Sequence, residues 1–179
     1  EAGVGGVVIK GVFKTWDEIA CVALKASGKA VTDDSVKMTA RAIEQASQKY
    51  GDDVAEAAMR GGTEVVTKTA KSGGRFLRLI QNSGQLSDEA FKALMAKSDE
   101  VLKLSAKYGD DVLLLNSKAP GVVSRGVAAV EGCGLKDPAS ALRAIADLPA
   151  EDIPRVIGAI EKNPSVARLF VKHIERGGK

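Results

Sequence analysis

Two pairs of adjacent aspartates are the residues of this sequence whose type and spacing could support chemistry. Each pair belongs to the hexapeptide Lys-Tyr-Gly-Asp-Asp-Val, which occurs at Lys49–Val54 and again at Lys107–Val112. Neighbouring carboxylates can bind a divalent cation, or act as a general acid and a general base. The two pairs could act together only if the fold brought both hexapeptides to one place.

The same hexapeptide also has the composition of a turn between two helices. Glycine supplies the positive φ that ends a helix, and an aspartate caps the helix that follows. The tyrosine would then pack over the junction. We favour this interpretation because each residue type has a role in such a turn, so neither hexapeptide is predicted to be a catalytic or metal site.

The other side chains that commonly carry chemistry are few. His173 is the single histidine, and it lies near the C-terminal end of a predicted helix, where the helix dipole favours a cation. Cys21 and Cys133 are far apart in the sequence and match no metal-ligand spacing. They could form a disulfide if they met in space, but we favour two small buried residues. We therefore predict a non-enzymatic protein with no catalytic, cofactor-binding or metal-ligating residue.

Two glycine clusters precede predicted helices, at Gly61–Thr63 and at Ser72–Arg75. Helix N-termini attract anions, so each cluster was compared with the phosphate-binding loop. Neither has the spacing of that loop, and neither follows a predicted strand. We interpret both clusters as helix breaks, and no small-molecule substrate is indicated.

The composition is that of a globular helical protein. Of the 179 residues, 45% are hydrophobic and only 4% are aromatic, so the core is expected to consist mainly of Ala, Val, Leu and Ile. The formal charge is +3, and basic and acidic residues alternate along the chain instead of forming a basic block. A nucleic-acid-binding surface would usually show a basic stripe or a recognisable motif, so no nucleic acid is expected as a partner.

The first 28 residues are predicted to form a separate N-terminal segment with the first helix. Gly3–Leu24 has apolar residues at helical spacing, with Lys10 and Lys14 on the polar side, and could dock on a membrane or on a partner helix. Trp16 is expected to be a core anchor on the apolar face. The segment has no basic region at its start, so it is not a signal peptide, although it could follow a removed one. We expect no transmembrane helix, since no apolar run is long enough.

Helix start and stop signals divide the remaining chain into short segments, which predicts an all-α protein of about eight to ten helices. Caps and glycines mark the ends, and Asp137 followed by Pro138 is typical of a helix start. The residues expected on the apolar face of the first helix are Val12, Trp16, Ile19, Ala20, Ala23 and Leu24.

The two hexapeptides belong to a longer repeat. They begin at residues 49 and 107, which are 58 residues apart, and the same offset places Ile43 on Val101, Ser47 on Ser105 and Arg60 on Lys118. A fixed spacing of this kind predicts stacked helical hairpins, each burying its apolar face on a neighbour. The predicted repeat domain is residues 29–179, with units at about 33–86, 87–134 and 137–179, the last being degenerate.

The repeated segment resembles helical segments of poorly characterised bacterial proteins. The resemblance covers Ile43–Val66 and Val101–Val123. It rests on the hexapeptide, on the short predicted helix that follows it, and on Ala119-Pro120-Gly121-Val122. Similar segments occur in repetitive envelope-associated proteins and ahead of the toxin domains of polymorphic toxins. The resemblance implies a helical, non-catalytic bacterial protein that is exported or associated with the cell envelope.

These observations predict a scaffold or assembly factor that binds another protein or itself and that could be a subunit of a larger complex. The alternative is a membrane-active or toxin-associated helical domain that uses Gly3–Leu24. The two hypotheses differ in whether a protein or a lipid surface covers the N-terminal segment.

Overall fold

The computed structural model describes residues 5–176, which are mainly α-helical. This confirms the predicted helical class. The part of the chain that it describes contains one β-hairpin followed by eleven helices: β1 (Gly6–Ile9), β2 (Val12–Thr15), α1 (Trp16–Ala26), α2 (Asp33–Tyr50), α3 (Asp53–Gly61), α4 (Glu64–Lys71), α5 (Arg75–Asn82), α6 (Asp88–Tyr108), α7 (Asp111–Lys118), α8 (Val123–Glu131), α9 (Pro138–Ala146), α10 (Ile153–Lys162) and α11 (Ser165–Glu175).

The N-terminal β-hairpin corrects the prediction of a helix that already includes Val12. β1 pairs antiparallel with β2, and Ile9 lies opposite Val12. Lys10 and Gly11 form the two-residue turn, with φ values of 51° and 78°. Two residues with positive φ match the right-handed twist of a hairpin, and β-branched residues suit its strands. A short apolar run fits a helix or a strand equally well, so the spacing of the apolar residues predicted a helix where the chain forms a strand.

Helix α1 begins at Trp16 because the preceding residue caps it. The Thr15 hydroxyl accepts a hydrogen bond from the Glu18 backbone N–H at 3.3 Å, and the Thr15 N–H donates to the Glu18 carboxylate at 2.8 Å. This reciprocal pair satisfies two backbone donors that a helix leaves free at its start. The predicted apolar face is buried from that point on: Ile19, Ala20, Ala23 and Leu24.

The contacts among residues divide the chain into two units. The first contains the chain up to Ile80 together with Gln85–Ala96, and the second contains Gln81–Gly84 and the chain from Lys97 onward. Helix α1 belongs to the same unit as α2 and α3 and packs against both. The predicted division into residues 1–28 and 29–179, with its three repeat units, stays a prediction.

The first unit has a core of small and medium-sized side chains. Helices α1, α2 and α3 pack against one another, and α4 packs against α2 and α3. The largest fully buried side chains of this unit are Phe76, Ile19, Ile43, Leu79 and Val54. Alanines fill the closer contacts, as the composition predicts, since small residues let helices approach.

Helix α9 is the centre of the second unit. It packs against α7, α8, α10 and α11. The largest fully buried side chains here are Leu113, Leu115, Leu142, Ile145, Ile153, Ile157 and Ile160. Gly126 of α8 lies so close to α10 that an added Cβ would be 2.9 Å from Cδ1 of Ile157. A side chain at that position would force the two helices apart.

Within residues 5–176, no helix combines the length and the apolar character that crossing a bilayer requires.

Candidate functional site

The first hexapeptide forms the corner between α2 and α3. Helix α2 ends at Tyr50, and the N–H of Gly51 donates to the carbonyl of Ser47 at 2.9 Å. Gly51 has φ 101° and ψ 162°, a region that is essentially restricted to glycine. The predicted helix stop is therefore confirmed, with the difference that this glycine is extended in ψ and not left-handed helical.

The second hexapeptide forms the same corner between α6 and α7. Helix α6 ends at Tyr108, Gly109 has φ 91°, and its N–H donates to the carbonyl of Ser105 at 2.8 Å. Helix α7 begins at Asp111, two residues after the glycine, as α3 begins at Asp53 after Gly51. The two corners thus use the same hydrogen bond and a glycine with positive φ at the same position.

The aspartates at these corners do not cap the following helices as predicted. Asp52 and Asp110 occupy the N-cap positions of α3 and α7, but neither side chain makes a capping hydrogen bond. Both have helical dihedral angles, whereas a capping residue is usually extended. Their carboxylates contribute charge at the positive end of the helix dipole. Asp111 instead accepts a hydrogen bond from Nε of Arg143 at 3.2 Å.

The tyrosines at the two corners contact residues outside their own turns. An added Cβ on Gly74 would lie 3.1 Å from Cδ1 of Tyr50. The hydroxyl of Tyr108 donates to the carboxylate of Glu131, which also receives Nζ of Lys107 at 2.8 Å. The hydrogen bond from Lys107, followed by that from Tyr108, holds the pKa of Glu131 below its ordinary value. The same contacts raise the pKa of Lys107 above its ordinary value.

An open cleft of about 540 Å³ lies at the second corner. Its lining residues are Tyr108, Gly109, Asp110, Asp111, Asp137, Ala139, Ser140 and Arg143. Asp137 caps α9 by accepting the backbone N–H of Ser140 at 3.3 Å, and the Ser140 hydroxyl holds its pKa below the ordinary value. Among residues 5–176, no three His, Cys, Asp or Glu side chains are grouped to hold a metal ion.

A basic residue after each corner donates to backbone carbonyls of a later segment. Arg60 at the end of α3 donates to the carbonyl of Leu86 and pairs with Asp88 at 3.2 Å. Lys118 at the end of α7 donates to the carbonyls of Ala146 at 2.6 Å and Leu148 at 3.1 Å. The two cations are 58 residues apart in the sequence.

The β-hairpin carries large exposed apolar side chains, which were not predicted as a site. Val8 and Phe13 lie on one face, whereas Val12, which is paired with Ile9, lies on the other face. Val8 is 62% exposed, and Val12 and Phe13 are each 58% exposed. We call these three residues the hairpin surface. Val8 lies directly opposite Phe13, while Val7 on the other face of β1 is buried. The available signal was the pattern Val-Val-Ile-Lys-Gly-Val-Phe, in which Lys-Gly can form a two-residue turn.

The first predicted helix, whose apolar face begins at Val12, is wrong before Trp16, because residues 6–15 form the hairpin. The described part of the Gly3–Leu24 segment is therefore a hairpin followed by α1. The apolar face of α1 is already buried within the first unit, so it is not free to dock elsewhere. Trp16 is half-buried, and an added Cβ on Gly5 would lie 3.0 Å from its indole nitrogen. Contact with a membrane stays a prediction, and the hairpin surface is the part of this segment that could make it.

The remaining residues whose type could support a site are His173, the two cysteines and the glycine clusters. His173 is exposed in the last turn of α11, the position predicted from the sequence. Both cysteines are free thiols: Cys133 is buried and donates to the carbonyl of Ala129, whereas Cys21 is half-buried. The glycine clusters break helices, since α3 ends at Gly61 and α4 ends at Lys71.

Comparison of the chain with protein-family models, with curated proteins and with solved structures found no match.

Proposed function

We propose that this chain is a non-enzymatic helical scaffold or assembly factor that binds another protein or itself. The observation that carries the proposal is the hairpin surface, where three large apolar side chains are more than half exposed within six consecutive residues. Single exposed apolar residues are normal on a protein surface, but Val8 and Phe13 lie directly opposite each other on one face, and adjacent exposed apolar side chains are typical of a binding site. Burying these side chains against a partner would remove apolar area from water, which is the main driving force of association.

The charged residues at the corners support a structural role over a catalytic one. Lys107 and Glu131 join α6 to α8, and Arg125 joins α8 to Glu161 of α10 by bonds of 2.6 and 2.9 Å. These side chains already satisfy one another within the second unit. A reacting group would need a free hydrogen-bonding position facing a substrate.

The repeat of about 58 residues, arranged as stacked helical hairpins, is part of the proposal. Its support is that Gly51 and Gly109 share a positive φ and the same hydrogen bond, and that Arg60 and Lys118 both donate to carbonyls of a later segment. The third unit is the most divergent, because Asn163 takes the place of the glycine and has a negative φ of −144°. An array of this kind presents an extended surface to a partner.

The test combines mass measurement with capture of partners. Size-exclusion chromatography with light scattering gives the oligomeric state, and the tagged chain is used to capture proteins from its native source. The double variant Val8→Ser, Phe13→Ser is expected to lose the captured protein or the self-association. Leu169→Ser is the matched control, because Leu169 is 67% exposed but belongs to α11 of the other unit. A strict monomer that captures no protein would refute the proposal.

A membrane-active or toxin-associated domain is the second candidate. The observation that favours it is the charge of the hairpin: Gly5–Thr15 contains Lys10 and Lys14 and no carboxylate, so apolar and basic groups lie together. Such a combination suits an anionic lipid surface. Co-sedimentation with vesicles containing phosphatidylserine tests it on the full chain, with the same double serine variant. Equal binding of the wild type and the variant, or no binding by either, removes this candidate.

A further inference from the structure

We propose that two copies of this chain pair through the outer edge of β1, so that their hairpins form one four-stranded antiparallel sheet. The inference rests on the proposed protein-binding function and names its partner as a second copy. Within residues 5–176, β1 has a single partner strand, β2. A sheet edge exposes a row of backbone donors and acceptors, and another strand can pair with it.

The register of the hairpin determines which backbone groups lie on that edge. With a two-residue turn, Ile9 exchanges hydrogen bonds with Val12, and Val7 does so with Lys14. The alternate residues of β1 therefore direct their N–H and C=O groups away from β2. These residues are Gly6 and Val8, and they define the donors and acceptors that a further strand would meet.

The edge of β2 is less suited to pairing than the edge of β1. The N–H of Thr15 is already used, since it donates to the carboxylate of Glu18. Strand β2 also carries Lys14, whereas Gly6–Ile9 of β1 has no charged residue. Two copies of β1 can therefore approach each other without placing like charges opposite within the strands.

The side chains of β1 are complementary to those of a second β1 in antiparallel pairing. If the twofold axis passes through Val7, Val8 of one protomer lies opposite Gly6 of its partner. The ring of Phe13 covers Gly6, because an added Cβ there would lie 2.6 Å from Cζ of Phe13. Each exposed Val8 would then pack beside the partner's aromatic ring, so Val8 and Phe13 of the two protomers form one apolar stripe.

Charge repulsion between the two protomers does not prevent this strand pairing. In the antiparallel arrangement, the two copies of Lys10 lie six residues apart along the strands, about 20 Å at 3.3 Å per residue. That separation exceeds the Debye length of about 8 Å at physiological ionic strength, so their repulsion is screened. A lipid surface is a poorer fit for the edge, since hydrocarbon cannot satisfy its backbone groups.

The size of the contact predicts a weak dimer. Two four-residue strands cover much less than the roughly 1,200 Å² of total surface that a stable protein interface buries. We therefore expect a dissociation constant on the order of 0.1 mM, visible as a rise in average mass with concentration.

Sedimentation equilibrium over two decades of concentration around that value is the test. Val8→Lys places a charge at the paired edge and is expected to weaken dimerisation at least about tenfold. Val12→Lys is the matched control, because Val12 has nearly the same exposure and lies in the same hairpin, but on β2. It is expected to change the dissociation constant less than about threefold. The far-UV circular dichroism of both variants shows whether they fold.

Amide hydrogen exchange supplies an independent measurement on the wild type. On raising the concentration, exchange at Gly6 and Val8 is expected to slow, while exchange at Phe13 on the other edge stays unchanged. A monomer at all concentrations overturns the inference, as does a dimer that Val8→Lys leaves intact. In either case, capture of a different protein by the tagged chain would still support the proposed protein-binding function. Failure of the dimer inference can therefore be distinguished from failure of the proposed function.

Discussion

Replacing the corner glycines with alanine tests the conformational equivalence of the two hexapeptides. At Gly51 and Gly109, an added Cβ meets nothing within 4 Å, so no steric clash contributes. The φ values of 101° and 91° are nevertheless strained for alanine, at a cost of about 1–3 kcal/mol. Alanine also restricts the unfolded chain, which offsets about 0.4–1 kcal/mol of that cost. Each variant is expected to be about 1–2 kcal/mol less stable than the wild type.

Gly158→Ala is the control for these variants. Gly158 lies inside α10, and its added Cβ would be 3.8 Å from Nη2 of Arg125, an ordinary contact. Glycine inside a helix is less favourable than alanine by about 0.5–1 kcal/mol, so this variant is expected to be more stable than the wild type.

Urea unfolding gives the free energies, with two probes because the chain has two units. Fluorescence of Trp16, the single tryptophan, follows the unit that contains Gly51, and circular dichroism follows the whole chain. A loss below about 0.5 kcal/mol at both corners would refute the argument from backbone strain. A large loss at one corner alone would refute the equivalence of the two turns.

Three further predictions concern single side chains. In the described part of the chain, the buried hydroxyl of Ser47 has no hydrogen-bond partner, whereas that of Ser105 donates to a backbone carbonyl at 2.8 Å. Both variants replace a helical serine with alanine, so the difference in helix propensity is the same for the two. The Ser47→Ala protein is therefore expected to be about 1–2 kcal/mol more stable than the Ser105→Ala protein in urea unfolding. Lys118→Met keeps the apolar stem but leaves the carbonyls of Ala146 and Leu148 without the hydrogen bonds from Nζ. The variant is therefore expected to lose about 1–2 kcal/mol of stability and to show faster amide exchange in α9. Unchanged exchange in α9 would contradict this prediction. The hydrogen bond from Lys107 lowers the pKa of Glu131 in the folded protein. The ionised Glu131 therefore contributes its full stabilisation above the ordinary pKa of 4.5, and this stabilisation is lost as the pH falls through the lower pKa of the folded state. Urea unfolding of Glu131→Gln at several pH values should therefore show a weaker loss of stability on acidification, and an unchanged pH profile would count against the contact.

Most helix boundaries could be predicted because their causes are local. The pair Asp137–Pro138 predicted the start of α9, whose N-cap is Asp137. Glycine ends α2 at residue 51 for the same kind of reason, since the conformation there excludes other residues. Cap and glycine preferences depend on a few neighbouring residues, so they can be read without the fold.

The hairpin and the caps of the short helices could not be predicted in the same way. The apolar run before Trp16 fits the helical period, and pairing across the Lys10–Gly11 turn decides in favour of strands. Asp52 and Asp110 have the residue type of a cap, but their helical backbone angles turn the side chains away from that role. In each case a contact or a backbone angle outside the local pattern decided the outcome.

The sequence by itself determined the helical class, the positions of the corners and the 58-residue spacing between the hexapeptides, because helix ends and periodicity are encoded in short stretches. The tertiary structure decided which apolar residues are buried. The apolar face of α1 is covered by α2 and α3, whereas Val8 and Phe13 remain exposed. Residue type cannot distinguish these two sets, since exposure depends on what packs against each face. For that reason the surface proposed here as the binding site became visible only in the folded chain.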